Sequence, residues 1–419
     1  MPRVLVIVPN DSYRAADFVA AAEALGVDLS IASEERPPLR ADDRFVQIDC
    51  ADPEGSAEAV ADLASHTPID AIVAADDTGV EIAALAAESL GLPANPPAAA
   101  HATLDKAAAR QALRAAEVPQ PEFRLLASSD DPAAAVAEFG GPVVIKPTKL
   151  SAGRGVLRVD DPEDAVATTQ RIRDILGASG HDPTADLLIE RYVDGPEVSV
   201  EGIIWDGEVE ILAVFDKPVP MTGPAFEETI FVTPSRHSEG VLADIERVTT
   251  AAVHALGLTE GPIHAELRIE GDRAVIIEVA GRTIGGLCGR ALRFGLLGAP
   301  LETMVLRHAL GMRKRSLRRE HTAAGVLMIP IPRRGTLGVI QGLDAVRSLP
   351  EVTAVEITAP FGSQVAPPPD GDRYLGFVFA RAAEPGSVET SLRRAMEIIE
   401  VEVVQTHPRE LAIQSDSTP

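Results

Sequence analysis

Residues 143–159 constrain the architecture more than any other stretch. Val143-Val144-Ile145 is an apolar run that ends in Lys146-Pro147. Thr148 to Gly155 is small and polar, with glycines at 153 and 155, and Val156, Leu157 and Val159 resume the apolar pattern. Short apolar runs bounded by turn residues are strands, so the order is strand, flexible loop, strand. Glycine lets a loop bring its backbone N–H groups close to a polyanion, and Lys146 adds a point charge beside them. Two readings stand on this stretch alone: a phosphate clamp, and a plain glycine-rich hairpin.

The lysine carries weight because lysine is scarce. Of 38 basic residues only five are lysines: Lys106, Lys146, Lys149, Lys217 and Lys314. Where surface charge is all that matters the chain uses arginine, so each retained lysine draws notice. The formal net charge of −25 argues against nucleic acid as a partner, which needs a basic surface, and against an anionic membrane. Two distant cysteines, Cys50 and Cys288, give no disulfide framework or metal site and fit a reducing cytoplasm. The apolar run Val4 to Val8 is too short for a signal peptide or a membrane span. A cytoplasmic location is therefore expected.

With 419 residues the chain exceeds one core, so several domains are expected. Residues 1–98 alternate strands (3–8, 27–31, 45–48, 69–74) with Ala-rich helices, the pattern of an open parallel α/β domain. Its first strand–helix turn, Pro9 to Tyr13, lacks the glycines of a dinucleotide site. Asp76 and Asp77 end the fourth strand, where open sheets place ligands, but they read first as plain helix N-caps. Gly91 to Pro97 breaks the chain. A helix from Ala100 to Ala116 then carries Lys106 and Arg110. Residues 122–192 read as a compact α+β lid within a larger unit, 99–312. From Glu197 the pattern turns to antiparallel hairpins, with Asp206-Gly207 and Gly271-Asp272 at the turns, and Phe226 to Pro234 reads as a polar loop. The basic patch Arg313-Lys314-Arg315 with Arg318-Arg319 opens a last α+β unit, 313–408, and a tail covers 409–419.

Two further constellations bear on chemistry. In Leu188 to Glu197 a strand ends in Glu190, passes through Arg191, Tyr192 and Val193, and reaches Glu197. Such a hinge offers backbone groups to a purine edge and a carboxylate to ribose hydroxyls; it also reads as an ordinary turn with surface acids. In the hairpin 263–279, Glu266 and Glu278 fall on facing strands, with Arg282 beyond. Alternation puts His264, Glu266 and Arg268 on one face. Two facing carboxylates suit Mg²⁺ on nucleotide phosphates, or a cross-strand ion pair with Arg268 or Arg282.

Together these residues resemble the ATP-grasp superfamily. Gly91-Leu92-Pro93, Asp105-Lys106, Arg110 and Val118-Pro119-Gln120-Pro121 are similar to its entry segment. Lys106 and Lys146 stand at its two nucleotide-lysine positions, and Glu190, Val193 and Glu197 at its adenine and ribose positions. Glu278 to Arg282 resembles its metal-binding E-x-N-x-R segment, with Ala280 in place of Asn. Residues 277–286, 325–332 and 373–381 look most like the L-amino acid ligase branch, and the resemblance covers essentially the whole chain.

The resemblance implies an ATP-grasp fold of mixed α/β and α+β class, with an N-terminal α/β domain, a lid and an α+β C-terminal domain. It implies ATP-dependent joining of a carboxylate, amino acids foremost, to an amine through an acyl phosphate. Lys106 and Lys146 would hold phosphates, covered by Ser151, Gly153, Gly155 and Val156; Glu190, Arg191, Tyr192, Val193 and Glu197 would hold the nucleoside. Glu266 and Glu278 would hold two Mg²⁺ ions, with Mn²⁺ as an alternative. Arg282 would be catalytic, stabilising charge on the transferred phosphoryl group. Glu228, His237, His264, Gly285 and Gly286 are the substrate candidates, and Cys288 reads as a packing residue. A homodimer is compatible with this. The competing readings are a carboxylase of the biotin-carboxylase kind, which the continuation Gly281 to Gly286 disfavours, and a non-catalytic nucleotide-binding protein.

Overall fold

The computed structural model describes residues 1–10, 12–35, 44–312 and 318–405. The patch Arg313-Lys314-Arg315 and the tail 409–419 lie outside them.

The N-terminal domain is a four-stranded parallel sheet in the order Phe45–Gln47, Asp28–Ser33, Arg3–Ile7, Ala71–Ala74. Its central strand is buried on both faces. Val4 and Val6 pack with Phe18 of helix Ala15–Leu25, while Leu5 and Ile7 pack on the opposite side with Val60 and Ile82. A period of two explains this split, and it is why the strand reads as a continuous apolar run. The loops after Ile7 and Ala74 leave from the same edge of the sheet.

The helix expected over Ala100 to Ala116 is two helices, Pro97–Leu104 and Lys106–Ala115. Asp105 interrupts them in an extended conformation, and its carboxylate accepts from the N–H groups of Ala107 and Ala108 at 2.9 and 3.1 Å. Aspartate competes well for exposed helix-start N–H groups. Lys106 therefore stands at a helix start, not inside one.

The lid is a four-stranded antiparallel sheet in the order Phe123–Leu126, Leu187–Arg191, Val143–Pro147, Leu157–Val159. It has its own core, in which Ile145, Leu187 and Ile189 meet Ile172 of helix Ala165–Ala178.

The central element is an eight-stranded antiparallel sheet. Its order is Arg273–Ala280, Gly261–Glu270, Glu197–Trp205, Glu208–Lys217, Ile230–Thr233, Ala323–Met328, Gly376–Ala382, Val352–Ile357. Two expectations change here. Residues 230–233, read as loop, form a fully buried strand, because Ile230-Phe231-Val232 is apolar on both faces. That strand pairs with Ala324 to Leu327, so the C-terminal unit continues the central sheet, and it adds a small three-stranded sheet of its own in the order Gln364–Val365, Gly335–Gln341, Glu400–Val404. The approach is close: a Cβ on Gly325 would lie 2.6 Å from the Phe231 carbonyl oxygen.

Candidate active site

One cavity of about 500 Å³ lies where these units meet. Its walls come from the loops after Ile7 and Ala74, the glycine loop, the hinge, the hairpin 261–280 with residues beyond it, and the C-terminal segment 358–374.

At one end Glu190 projects from strand Leu187–Arg191 into a buried ion-pair triad. Its Oε1 lies 2.5 Å from Arg110 Nε and its Oε2 2.8 Å from Lys146 Nζ. Burial pushes the carboxyl up, but the two cations outweigh it and hold it at about 2. The folded value is thus below the ordinary glutamate range, so the stabilisation is complete above that range and is lost as pH falls toward 2. Glu190→Gln should cost about 1.5–3 kcal/mol at pH 7, the scale of hydrogen bonds to charged groups. Urea midpoints of wild type and variant should converge below about pH 4; a gap that stays constant with pH would contradict the triad.

The hinge is less open than its sequence suggested. Arg191 N–H donates to the Glu122 carbonyl and Tyr192 N–H to that of Pro142. The Val193 carbonyl accepts from Arg268 Nη1 at 3.0 Å, and the Val193 N–H makes no hydrogen bond among the described residues. Arg268 also donates to Glu197 Oε2 at 2.9 Å and to the Met221 carbonyl at 2.7 Å. Its guanidinium lies over the Tyr192 ring at 5.1 Å, while Arg158 of the lid stacks on the same ring at 4.2 Å.

The glycine loop is wound through left-handed backbone at Ala152, Gly153 and Gly155. Ser151, Gly153 and Val156 line the cavity; Gly155 does not. Its N–H instead donates to the Pro369 carbonyl of the C-terminal unit at 2.9 Å. Arg154 and Arg171 lie 3.6 and 3.3 Å from Asp372 and Asp370 of the same segment, so the lid rests on the C-terminal unit. Lys106 Nζ donates to the Leu150 carbonyl at 2.7 Å and lies 3.5 Å from Glu278.

Glu266 and Glu278 are direct partners in the hairpin register. Neither pairs with Arg268 or Arg282, the partners that a cross-strand ion pair would have used. Glu278 meets Lys106, and Glu266 meets a lysine to which the residue pattern assigns no role. Lys217, on strand Glu208–Lys217, is buried and donates to Glu197 at 2.7 Å, to Glu266 at 2.8 Å, and to Glu228. Burial pulls its ammonium down, but the three carboxylates hold it well above its usual value. Its one signal in the sequence is lysine scarcity. Burial and the charges of Glu266 and Glu197, against Lys217, push the Glu228 carboxyl up to about 7. His264 lies 2.6 Å from Glu201 and 3.6 Å from Glu266. Burial would lower it, but the two acids raise it to about 9, an imidazolium at neutral pH. The other Glu201 oxygen accepts the Ile284 N–H at 3.1 Å, which anchors the loop carrying Arg282, Gly285 and Gly286.

Arg282 corrects the reading of Asp76 and Asp77 as plain caps. Asp77 grips its guanidinium with both oxygens, at 2.8 and 2.7 Å, from a different domain. Burial raises the Asp77 carboxyl, and Arg282 more than reverses that. Asp76 makes no side-chain cap bond. Arg14 fastens the same junction by donating to the Ala75 carbonyl and the Thr283 hydroxyl, each at 2.5 Å. Gly285, Gly286, Glu228 and buried Cys288 line the cavity. His237 does not: it lies outside, next to Arg236, which is bound to Asp216 and Glu389.

The carboxylates fit a hard divalent cation. Glu197, Glu228 and Glu266 converge on the Lys217 ammonium, which leaves the second Glu266 oxygen and Glu278, whose side chain is 34% exposed and lines the cavity with Glu266, as the pair available to such an ion. Oxygen ligands of this kind are those Mg²⁺ takes. Ala280 offers none.

A small lid over a cavity floored by antiparallel strands, with Lys146 beside Glu190 and Lys106 beside one of two facing carboxylates, is the arrangement of a nucleotide-binding class of fold. Family models agree. The ATP-grasp N-terminal domain matches residues 19–94, the ATP-grasp domain 139–291, and the L-amino acid ligase C-terminal domain 2 residues 327–404. The chain is an ATP-grasp protein that carries the L-amino acid ligase C-terminal domain. Among its relatives, the uncharacterized protein y4rH of Sinorhizobium fredii is 27% identical over 327 residues, 74% of this chain and 64% of that one. Alanine–anticapsin ligase of Bacillus subtilis is 29% identical over 245 residues, 54% of this chain and 51% of that one. The chain thus spans less than two thirds of the length of either relative. The crystal structure of an L-amino acid ligase from Bacillus licheniformis superposes with a TM-score of 0.79 at 24% identity, covering 97% of this chain and 99% of that one. A carboxyaminoimidazole ribonucleotide synthase from Aspergillus clavatus, complexed with ATP, gives 0.72 at 18% identity, over 95% and 98% of the two chains. These two show the shared fold.

Proposed function

We infer that the chain is an ATP-dependent carboxylate–amine ligase that forms an amide or peptide bond through an acyl phosphate, releasing ADP and phosphate. The observation that carries this is the juxtaposition of Glu266 and Glu278 with Lys106 and with Arg282, itself held by Asp77 of another domain. The names of two relatives, alanine–anticapsin ligase and L-amino acid ligase, support amino acids as the substrates.

Lys106 and Lys146 bind the nucleotide phosphates, and Ser151, Gly153 and Val156 close over them. The Val193 N–H and the Tyr192 ring hold the base, and Glu197 the ribose. Mg²⁺ held by Glu266 and Glu278, as two ions, or Mn²⁺ in its place, would neutralise charge on the transferred phosphoryl group. The substrate carboxylate attacks the γ-phosphorus beside Arg282, whose guanidinium then faces the oxyanion of the tetrahedral intermediate. Glu228, poised near neutrality, accepts the proton that the amine loses. His264 stays charged and orients Glu266. The lid resting on Asp370 and Asp372 excludes water that would hydrolyse the acyl phosphate. The setting is the cytoplasm and the assembly a homodimer; among the described residues no helix is long and apolar enough to cross a membrane.

The test is phosphate release from ATP and Mg²⁺ with all pairs of the standard amino acids, with products weighed by mass spectrometry. At least one pair should release phosphate and yield a condensed product with loss of water. Release of phosphate without a condensed product for every pair, or no release at all, contradicts the ligase reading.

A further inference from the structure

All three tyrosines of this aromatic-poor chain, Tyr13, Tyr192 and Tyr374, line the cavity. Tyr192 belongs to the nucleotide end, between Arg158 and Arg268. The other two arrive from opposite ends of the chain and meet at one buried ring. Tyr13 contacts Phe377 edge-on, with ring centroids 5.7 Å apart, and Tyr374 contacts the same ring edge-on at 6.5 Å. Edge-to-face pairs hold such rings in fixed orientation.

The loop beneath them is cut to make room. Gly286 has φ +62, and a Cβ there would lie 2.9 Å from the Phe377 ring and 3.6 Å from the Tyr13 hydroxyl. A Cβ on Gly285 would meet nothing within 4 Å. Phe231 and Met328 complete the wall. Burial, before any charge, raises both phenols, so both stay neutral. This wall also borders the reacting end: the Asp76 charge acts on both Tyr13 and Arg282, and the Glu228 charge on Tyr374.

We propose that Tyr13 and Tyr374 form a clamp, shared between the N-terminal and C-terminal units, that receives the side chain of an L-amino acid substrate and selects large apolar or aromatic side chains. The assignment rests on the ligase reading for the identity of the ligand as an amino acid. Neutral rings over the open space at Gly285 desolvate an apolar side chain without leaving a polar partner unpaired, whereas a charged side chain placed among those rings would lose part of its hydration.

Isothermal titration of the full chain with L-phenylalanine, glycine and L-aspartate, each in the presence of Mg²⁺ and ADP, tests this directly. L-Phenylalanine should bind at least about tenfold tighter than either of the others, a difference of about 1.4 kcal/mol. Tyr13→Ala and Tyr374→Ala should each weaken L-phenylalanine binding about tenfold, while Tyr13→Phe and Tyr374→Phe, which keep the ring, should retain the preference. ADP titration of each variant reports whether it is folded. The proposal is overturned if L-phenylalanine binds no tighter than glycine, or if alanine variants that bind ADP keep wild-type affinity for it. Loss of the ligase reading looks different: L-phenylalanine binds with the expected preference, yet no amino-acid pair yields a condensed product.

Discussion

Glu278→Gln should reduce amine-dependent ADP release by at least about a thousandfold while leaving the fold intact. Among the described residues Glu278 makes one ion pair, with Lys106 at 3.5 Å, and its side chain is partly open to the cavity, while Arg282 and Glu190 keep their own partners, Asp77 and the Arg110–Lys146 pair, so the amide strands no fully buried charge. What it loses is half of a facing carboxylate pair. Electrostatic stabilisation of transition-state charge commonly contributes more than any other effect in such chemistry, with a single donor supplying roughly a hundred- to a thousandfold. A metal ligand should stand at or above the top of that range. Phosphate release under saturating substrates measures the rate, and thermal unfolding confirms the fold. A variant within tenfold of wild type would remove Glu278 from the metal site.

Lys217→Met should be the most destabilising single exchange at the site. The ammonium neutralises Glu197, Glu228 and Glu266 at once and its side chain is 3% exposed. Taking one partner from a buried ion cluster costs about 3–5 kcal/mol, because uncompensated charge stays behind. The pH dependence has a definite sign. In wild type the Glu266 carboxyl is pushed up by burial but held well below its usual value by Lys217 and His264. Its contribution is therefore present above the ordinary glutamate range and lost as pH falls. Without Lys217 the three carboxyls take up protons more readily in the folded state, so the variant's deficit should shrink on acidification. Urea midpoints at pH 7.5 and pH 5 settle it: a deficit below about 1 kcal/mol at the higher pH, or one that grows on acidification, would show that the cluster is not held by Lys217.

The two experiments separate what Glu278 and Lys217 do. One carboxylate is accessible and expendable for folding; the lysine is buried and structural first. Yet both stand in the same small volume, since Lys217 touches Glu266 and Glu266 opposes Glu278. The coupling explains why an acidic chain that otherwise favours arginine keeps a lysine here. Three carboxylate oxygens converge within 4.8 Å, and a compact ammonium with three donors can serve all of them, where a planar guanidinium would favour one.

Whatever depends on neighbours a few residues away is legible in the residue order alone. The turn at Gly271-Asp272 and the apolar alternation on either side set the register of one hairpin as far as Leu267 opposite Ile276; a bulge at the next step, which the residue order does not mark, then brings Glu278 opposite Glu266. The run Val143-Val144-Ile145-Lys146 and the glycines after it specify strand, lysine and loop, because strand burial and left-handed backbone leave local marks in residue type. The remaining features come from packing between distant segments. Asp77 looks like a cap because nothing within one helical turn distinguishes a cap from a clamp; its partner Arg282 is 205 residues away. Tyr13 and Tyr374 carry no pattern at all, and share a ring only because the C-terminal strand Gly376–Ala382 joins the central sheet. His237 sits in a sequence rich in polar residues and is not among the side chains that line the cavity, which its residue type does not record. Ion pairs and aromatic contacts across domains depend on where whole elements pack, and a residue's type records that it can pair without recording with whom.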